Sequence, residues 1–183
     1  MNVSGERTFE APRATVWQVM NDPESMAKTM PGVESFDVHD DRHWTANVKI
    51  PLGLGGLKMK VDMEKIEERE PEFAKMAIKG QGVGAMMNME TSFTLSDADA
   101  GGTAMAWSAE VKILGPVGSM GQRVLQPIVN QQVRVVLTAL DAQVQEALAG
   151  GGSATHGAEE GVSPASPEAY EAEPEGPTTS TED

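Results

Sequence analysis

The sequence predicts an α+β fold in which a curved antiparallel sheet grips one long C-terminal helix, and three observations carry that prediction. Residues 118–148 hold the only long helical pattern, the segments before it alternate apolar and polar residues as strands do, and the composition changes abruptly near Gly150. In the helical stretch, Met120, Val124, Ile128, Val133, Val136, Leu137, Leu140, Val144 and Leu148 recur at intervals that lay one apolar stripe along a helix. Gln122, Arg123, Gln126, Asn130, Gln131, Gln132, Arg134, Asp141, Gln145 and Glu146 form the wet side. Such a helix spans roughly 45 Å, enough to cross a small domain. Pro127 costs about 3 kcal/mol in a helix interior, so a kink or break is expected at Gln126. Burial at about 1.5–3 kcal/mol per apolar side chain outweighs it as an upper bound.

The elements before the helix follow in order. Residues 2–10 read as a strand; Pro12 then opens a short helix through Val16, Trp17, Val19 and Met20. Asp22 and Pro23 restart the chain for a second short helix over 24–29, which ends before the Pro31–Gly32 turn. Strands over 33–40 and 42–50 meet at a polar hairpin, and in the second Trp44, Ala46, Val48 and Ile50 share one face. After an apolar, glycine-rich loop at 51–56, Leu57, Met59, Val61 and Met63 alternate with Lys58, Lys60, Asp62 and Glu64. Residues 67–71 turn the chain, Ala74, Met76 and Ile78 continue the apolar side, and glycines 80, 82 and 84 predict a bulge or bend. Met87, Met89, Thr91, Phe93 and Leu95 make one face of the next strand. Met105, Trp107, Ala109, Val111 and Ile113 make one face of the last. Seven strands with one apolar face need one cover, and the long helix is the only amphipathic element of sufficient length.

Two regions are expected, a domain over 1–150 and a tail over 151–183. The tail has no Lys or Arg, eight Asp or Glu, and repeated Gly, Ser, Thr and Pro, so it reads as disordered and acidic. The chain carries 14 basic and 28 acidic residues; without the tail's eight acids the body stands at 14 − 20 = −6. Both parts are acidic, which excludes nucleic acid as a partner class, because phosphate neutralisation needs clustered Lys and Arg. The absence of cysteine removes disulfides, thiolate metal sites and thiol nucleophiles. With Glu6 and Arg7 where a signal peptide needs an apolar run, the expected location is cytoplasmic.

No catalytic constellation emerges. Glycines 80, 82 and 84 lie between strands rather than before a helix, so they are not a dinucleotide loop. His39 and His43 flank an Asp-rich hairpin whose spacing matches no metal pattern, and no metal site is expected. What stands out is methionine on inward faces with few aromatics, a soft and adaptable wall suited to an apolar cavity. The expected ligand surface comprises Trp44 and Val48; Leu57, Met59, Val61 and Met63; Met76 and Ile78; Met87, Met89 and Phe93; Met105, Trp107, Ala109 and Val111; and Met120, Val124 and Ile128 of the helix. Leu52 and Leu54, with Lys58 and Lys60 beside them and Lys49 and Lys112 near, are expected to form an entrance that touches an anionic membrane. A hairpin that merely packs on the helix is the alternative.

The N-terminal pattern of Ser4, Gly5, Glu6, Phe9, Ala11, Pro12, Val16 and Trp17, then Asn21, Asp22, Pro23 and Met30, Pro31, Gly32, Val33, Glu34, resembles the CoxG family of carbon monoxide dehydrogenase proteins, within the START-like (SRPBCC) helix-grip superfamily. The resemblance covers residues 1 to about 148. It implies a seven-stranded sheet around a C-terminal helix with an apolar cavity between them. It also implies a non-catalytic accessory beside a molybdenum-containing CO dehydrogenase, peripherally membrane-associated and linked to the quinone pool. The expected ligand is therefore menaquinone or another isoprenoid lipid, held without a covalent cofactor. Some relatives end in an apolar membrane-associating segment, from which the acidic tail departs. The alternatives are a membrane-recruitment module without ligand, marked by residues 52–57 and the tail, or a cyclase- or hydrolase-like enzyme, which would need Glu90 or Glu110 to line the cavity.

Overall fold

The computed structural model describes residues 1–52 and 55–153, the last three as backbone. Its elements are β1 (Asn2–Phe9), α1 (Arg13–Asn21), α2 (Pro23–Thr29), β2 (Val33–Val38), β3 (His43–Ile50), β4 (Leu57–Arg69), β5 (Phe73–Gly82), β6 (Ala85–Asp97), β7 (Thr103–Leu114) and α3 (Gln122–Ser153). Short 3-10 turns at Asp99–Gly101 and Gly118–Met120 join the last pieces. The strands make one antiparallel sheet in the order β1-β7-β6-β5-β4-β3-β2. This is the expected helix-grip arrangement: the middle of the chain is a meander of hairpins, and β1 closes it on the far side of β7.

Local chemistry sets the ends of the short helices. The Pro12 carbonyl accepts the N–H groups of Thr15 and Val16 at 3.0 and 3.2 Å to start α1. Asp22 stops α1 and caps α2, its side chain accepting the Ser25 N–H at 2.8 Å with Pro23 in the first position. Val16, Trp17 and Val19 turn inward from α1.

Register carries the alternation across the whole sheet. Trp44, Ala46 and Val48 face Met63, Val61 and Met59 on β4, which in turn face Ile78, Gly80 and Gly82 on β5. The same row continues through Met89 and Met87 on β6 to Val111 and Ile113 on β7. Because side chains alternate, one face gathers the apolar set and the other gathers Lys, Glu and Asn. Gly80 and Gly82 stay within the ladder, so the bend expected at the glycines is absent there. The register shift lies instead between Lys65 and Glu67. Gly80 is needed for close approach: a Cβ there would fall 2.8 Å from Met59 Cε and 3.2 Å from Met87 Cε. β4 runs on to Arg69, beyond the turn expected at 67–71.

Two expectations for the long helix are corrected. It begins at Gln122 rather than 118, because Gly121 at φ 78° ends the 3-10 turn and resets the chain. The apolar phase therefore starts with the buried Leu125, while Met120 and Val124 are 46% and 44% exposed. No break occurs at Gln126, since α3 runs unbroken through Pro127. The proline stands on the exposed side, and the one carbonyl it frees, that of Arg123 a turn earlier, lies on an exposed residue near the helix start. At its other end α3 passes the boundary expected at 150 and reaches Ser153. The tail from 154 onward lies outside the described residues.

The core falls into two clusters. One joins α1, β1, the outer ends of β5 to β7 and the second half of α3: Phe9, Ala11, Val16, Trp17, Val19, Ala74, Leu95, Met105, Leu140 and Val144. The other joins β3, β4 and the start of β6: Trp44, Ala46, Val48, Met59, Val61, Met63 and Ala85. Met26 and Met30 of α2 and Val117 pack on this second cluster, and no residue of α3 belongs to it.

Candidate ligand cavity

The uneven packing of α3 defines the candidate site. Its second half is fastened: Leu140 and Val144 are buried, Leu137, Ala147 and Leu148 pack beside them, and Arg7 of β1 pairs with Asp141. Its first half offers Leu125 as its one fully buried residue. Opposite it, the middle of the concave face is half-buried although apolar: Met76, Ile78, Met87, Met89, Ala109 and Ile113 all keep solvent access. A filled interior would close over such residues at native packing density. The surface between β5 to β7 and the beginning of α3 is thus apolar, concave and uncovered.

Of the residues expected to bind ligand, Trp44, Val48, Met59, Val61, Met63, Met105 and Val111 are buried. Leu57, Met76, Ile78, Met87, Met89, Phe93, Trp107, Ala109 and Ile128 are half-buried. The register puts all the strand members on one face. Met105 belongs to the packed end beside Leu140, and Phe93 and Trp107 pack against that end. Met120 and Val124 stand at the rim. At the entrance Leu52 is half-buried and Leu54 lies outside the described residues. Lys58 and Lys60 point outward, 3.3 Å from Glu34 and 3.7 Å from Asp62.

Some contributors were not foreseen. Met26 and Met30 of α2 cover the second cluster, and their four-residue spacing was the available signal. Lys65 is buried on the concave side, bonded to Glu68 at 2.8 Å with its ammonium 5.8 Å from the Trp44 ring. The indole N–H groups of Trp44 and Trp107 are buried without a hydrogen-bond partner.

The outer face is polar. It carries two shallow hollows of about 260 and 360 Å3 that meet at Ala77 and Lys79, ringed by Lys, Glu, Asp, His and Asn. Glu90 and Glu110 sit opposite one another on this face, so neither lines the cavity as an enzyme of the cyclase kind would require. Lys75 hydrogen-bonds Glu90 at 2.8 Å and holds its carboxyl below the ordinary value. Among the described residues, no group of three His, Asp or Glu is arranged to hold a metal ion.

A seven-stranded sheet closed by a C-terminal helix over an apolar concave face is the START-like helix-grip class, whose usual business is binding a ligand between sheet and helix. The chain belongs to the CoxG family of carbon monoxide dehydrogenase proteins, whose model matches residues 5–145. Solved structures agree on the fold. A conserved protein from Geobacillus kaustophilus superposes with a TM-score of 0.75 at 18% identity, covering 80% of this chain and 96% of its own. A START superfamily protein from Mycobacterium smegmatis gives a TM-score of 0.62 at 14% identity over 79% and 97%. The ZhuI aromatase/cyclase from a Streptomyces species gives 0.62 at 13% over 81% and 95%. At these identities the likeness is one of fold. No curated protein matches in sequence. No helix among the described residues is long and apolar enough to cross a membrane.

Proposed function

We propose that the protein is a non-catalytic carrier that holds an isoprenoid quinone such as menaquinone, or a similar lipid, between the sheet and the first half of α3. In this reading it serves a molybdenum-containing CO dehydrogenase or a related oxidoreductase from the cytoplasmic side, touching the membrane peripherally and coupling the enzyme to its quinone pool. The observation that carries the proposal is the methionine-lined concave face that α3 leaves uncovered. Flexible thioethers suit a ligand of irregular shape, and Gly80 gives Met59 and Met87 room to lie across the floor. Trp44 and Trp107 present indole donors on the same face, which suits an apolar molecule bearing carbonyl acceptors. The family supports the choice of partner enzyme.

Organic extraction of the purified full chain followed by mass spectrometry should release a quinone or lipid in near-stoichiometric amount. Ala109→Trp, placed at the half-buried centre of β7, should block uptake of added menaquinone while leaving the fold intact by circular dichroism. Protein that carries nothing and takes up no menaquinone would favour a recruitment module without ligand.

A further inference from the structure

The end of the sheet that carries the β3–β4, β5–β6 and β7–α3 connections differs in charge from everything else in this acidic chain. No acidic residue occurs between Asp41 and Asp62, between Glu72 and Glu90, or between Glu110 and Asp141. These three stretches are the ones that run through that end, as the pairings Ile50↔Leu57, Gly82↔Ala85 and Met86↔Leu114 establish. In a chain with a net charge of −14, one end has been cleared of negative charge. Lysines occupy it instead. On the outer face Lys49 stands opposite Lys58; the next row holds Lys60, and the row after it holds Lys79 and Lys112. All lie within about 13 Å of the β5–β6 turn along the strands. Lys58, Lys60 and Lys112 also reach Glu34, Asp62 and Glu110, while Lys49 and Lys79 make no ion pair among the described residues.

Ahead of the lysines stand apolar side chains with nothing over them. Val83, at the tip of the two-residue β5–β6 turn, is 95% exposed, and behind it Met86 and Leu114 form an exposed cross-strand pair. Met120 and Val124 are exposed at the start of α3, on the other side of the opening to the concave face. A protein partner reads continuous, shape-matched area of about 800 Å² per side. These groups are separated points on different elements, backed by positive charge. A fluid anionic bilayer takes up such points individually and draws the lysines to its headgroups.

We propose that this end of the molecule docks on an anionic lipid surface with Val83 as the inserted tip, so that the uncovered concave face opens toward the bilayer. The proposal rests on the reading that a ligand enters between the sheet and α3. It places the membrane contact on the folded domain, through side chains of three separate elements. Each lysine that reaches the headgroup plane raises affinity about fivefold, and the contact weakens as salt rises.

The test is flotation of the full chain with phosphatidylcholine vesicles containing increasing phosphatidylglycerol. Binding should require phosphatidylglycerol, fall with salt, and drop at least tenfold in Val83→Asp and in the Lys58→Glu/Lys60→Glu pair. Equal binding to neutral and anionic vesicles, or unchanged binding of both variants, would overturn the proposal. So would a chain that ignores vesicles yet loses association with CO dehydrogenase holoenzyme in Val83→Asp, which would make this end a protein interface. Uptake of menaquinone delivered from cyclodextrin needs no membrane and should survive Val83→Asp. Absence of that uptake in the unaltered chain, with vesicle binding intact, removes the carrier reading and leaves the docking surface standing.

Discussion

The two ends of this molecule use the same sheet and the same helix and arrive at opposite results. At one end Phe9, Trp17, Leu95, Leu140 and Val144 interlock, with Trp17 and Phe93 in tilted contact at 5.9 Å between ring centroids. At the other, Met76, Met87 and Met89 face the first half of α3 and remain partly open. Backbone architecture is continuous between the two, so the difference lies in side-chain choice. Large rigid groups fill one end; methionine, alanine and glycine leave room at the other. Stability and ligand space are thereby assigned to different halves of one layer.

The largest effect that probes this contrast is at the packed end. Leu140→Ala should cost about 2–5 kcal/mol in urea denaturation, the range for truncating a well-enclosed leucine. Met89→Ala, on the open face, should cost under about 1 kcal/mol, because it enlarges a space that already exists. Equal losses at the two sites would mean that both ends are packed alike.

How much of this was legible in the residues can be judged from the same two places. Period-two alternation from Trp44 to Val48 and from Leu57 to Met63 placed the strands on the correct face, because one face is buried and register is therefore strongly specified. The N-terminal pattern, from Phe9 through Pro31 and Gly32, named the family. What escaped was the phase of the helix start: Gly121 adopts a left-handed conformation that periodicity alone does not reveal, so Leu125 rather than Val124 turns inward. The division of the concave side was likewise hidden, since a stripe of apolar residues looks the same whether or not a helix closes on its partner. Val83 reads as an ordinary hairpin residue until its exposure is seen.

The smallest effect lies on the outer face. Lys75 hydrogen-bonds Glu90, lowering the carboxyl's pKa below its ordinary 4.5 and raising the ammonium's above 10.5. The carboxyl's contribution is present above its unfolded value and lost as pH falls through the lowered folded one. The ammonium's is present below 10.5 and lost as pH rises through its raised folded value. Both groups are solvent-facing, so Lys75→Met should lower the thermal midpoint only slightly at neutral pH, and the difference should vanish below about pH 4. A gap that widens in acid would contradict the sign.

Hydrogen exchange along α3 addresses the central division most directly. Without ligand, amides over 123–133 should exchange much faster than those over 137–147, and added menaquinone should protect the first group while leaving the second unchanged. Equal protection of the two halves, with and without menaquinone, would mean that α3 closes on the sheet along its whole length and that no ligand space exists.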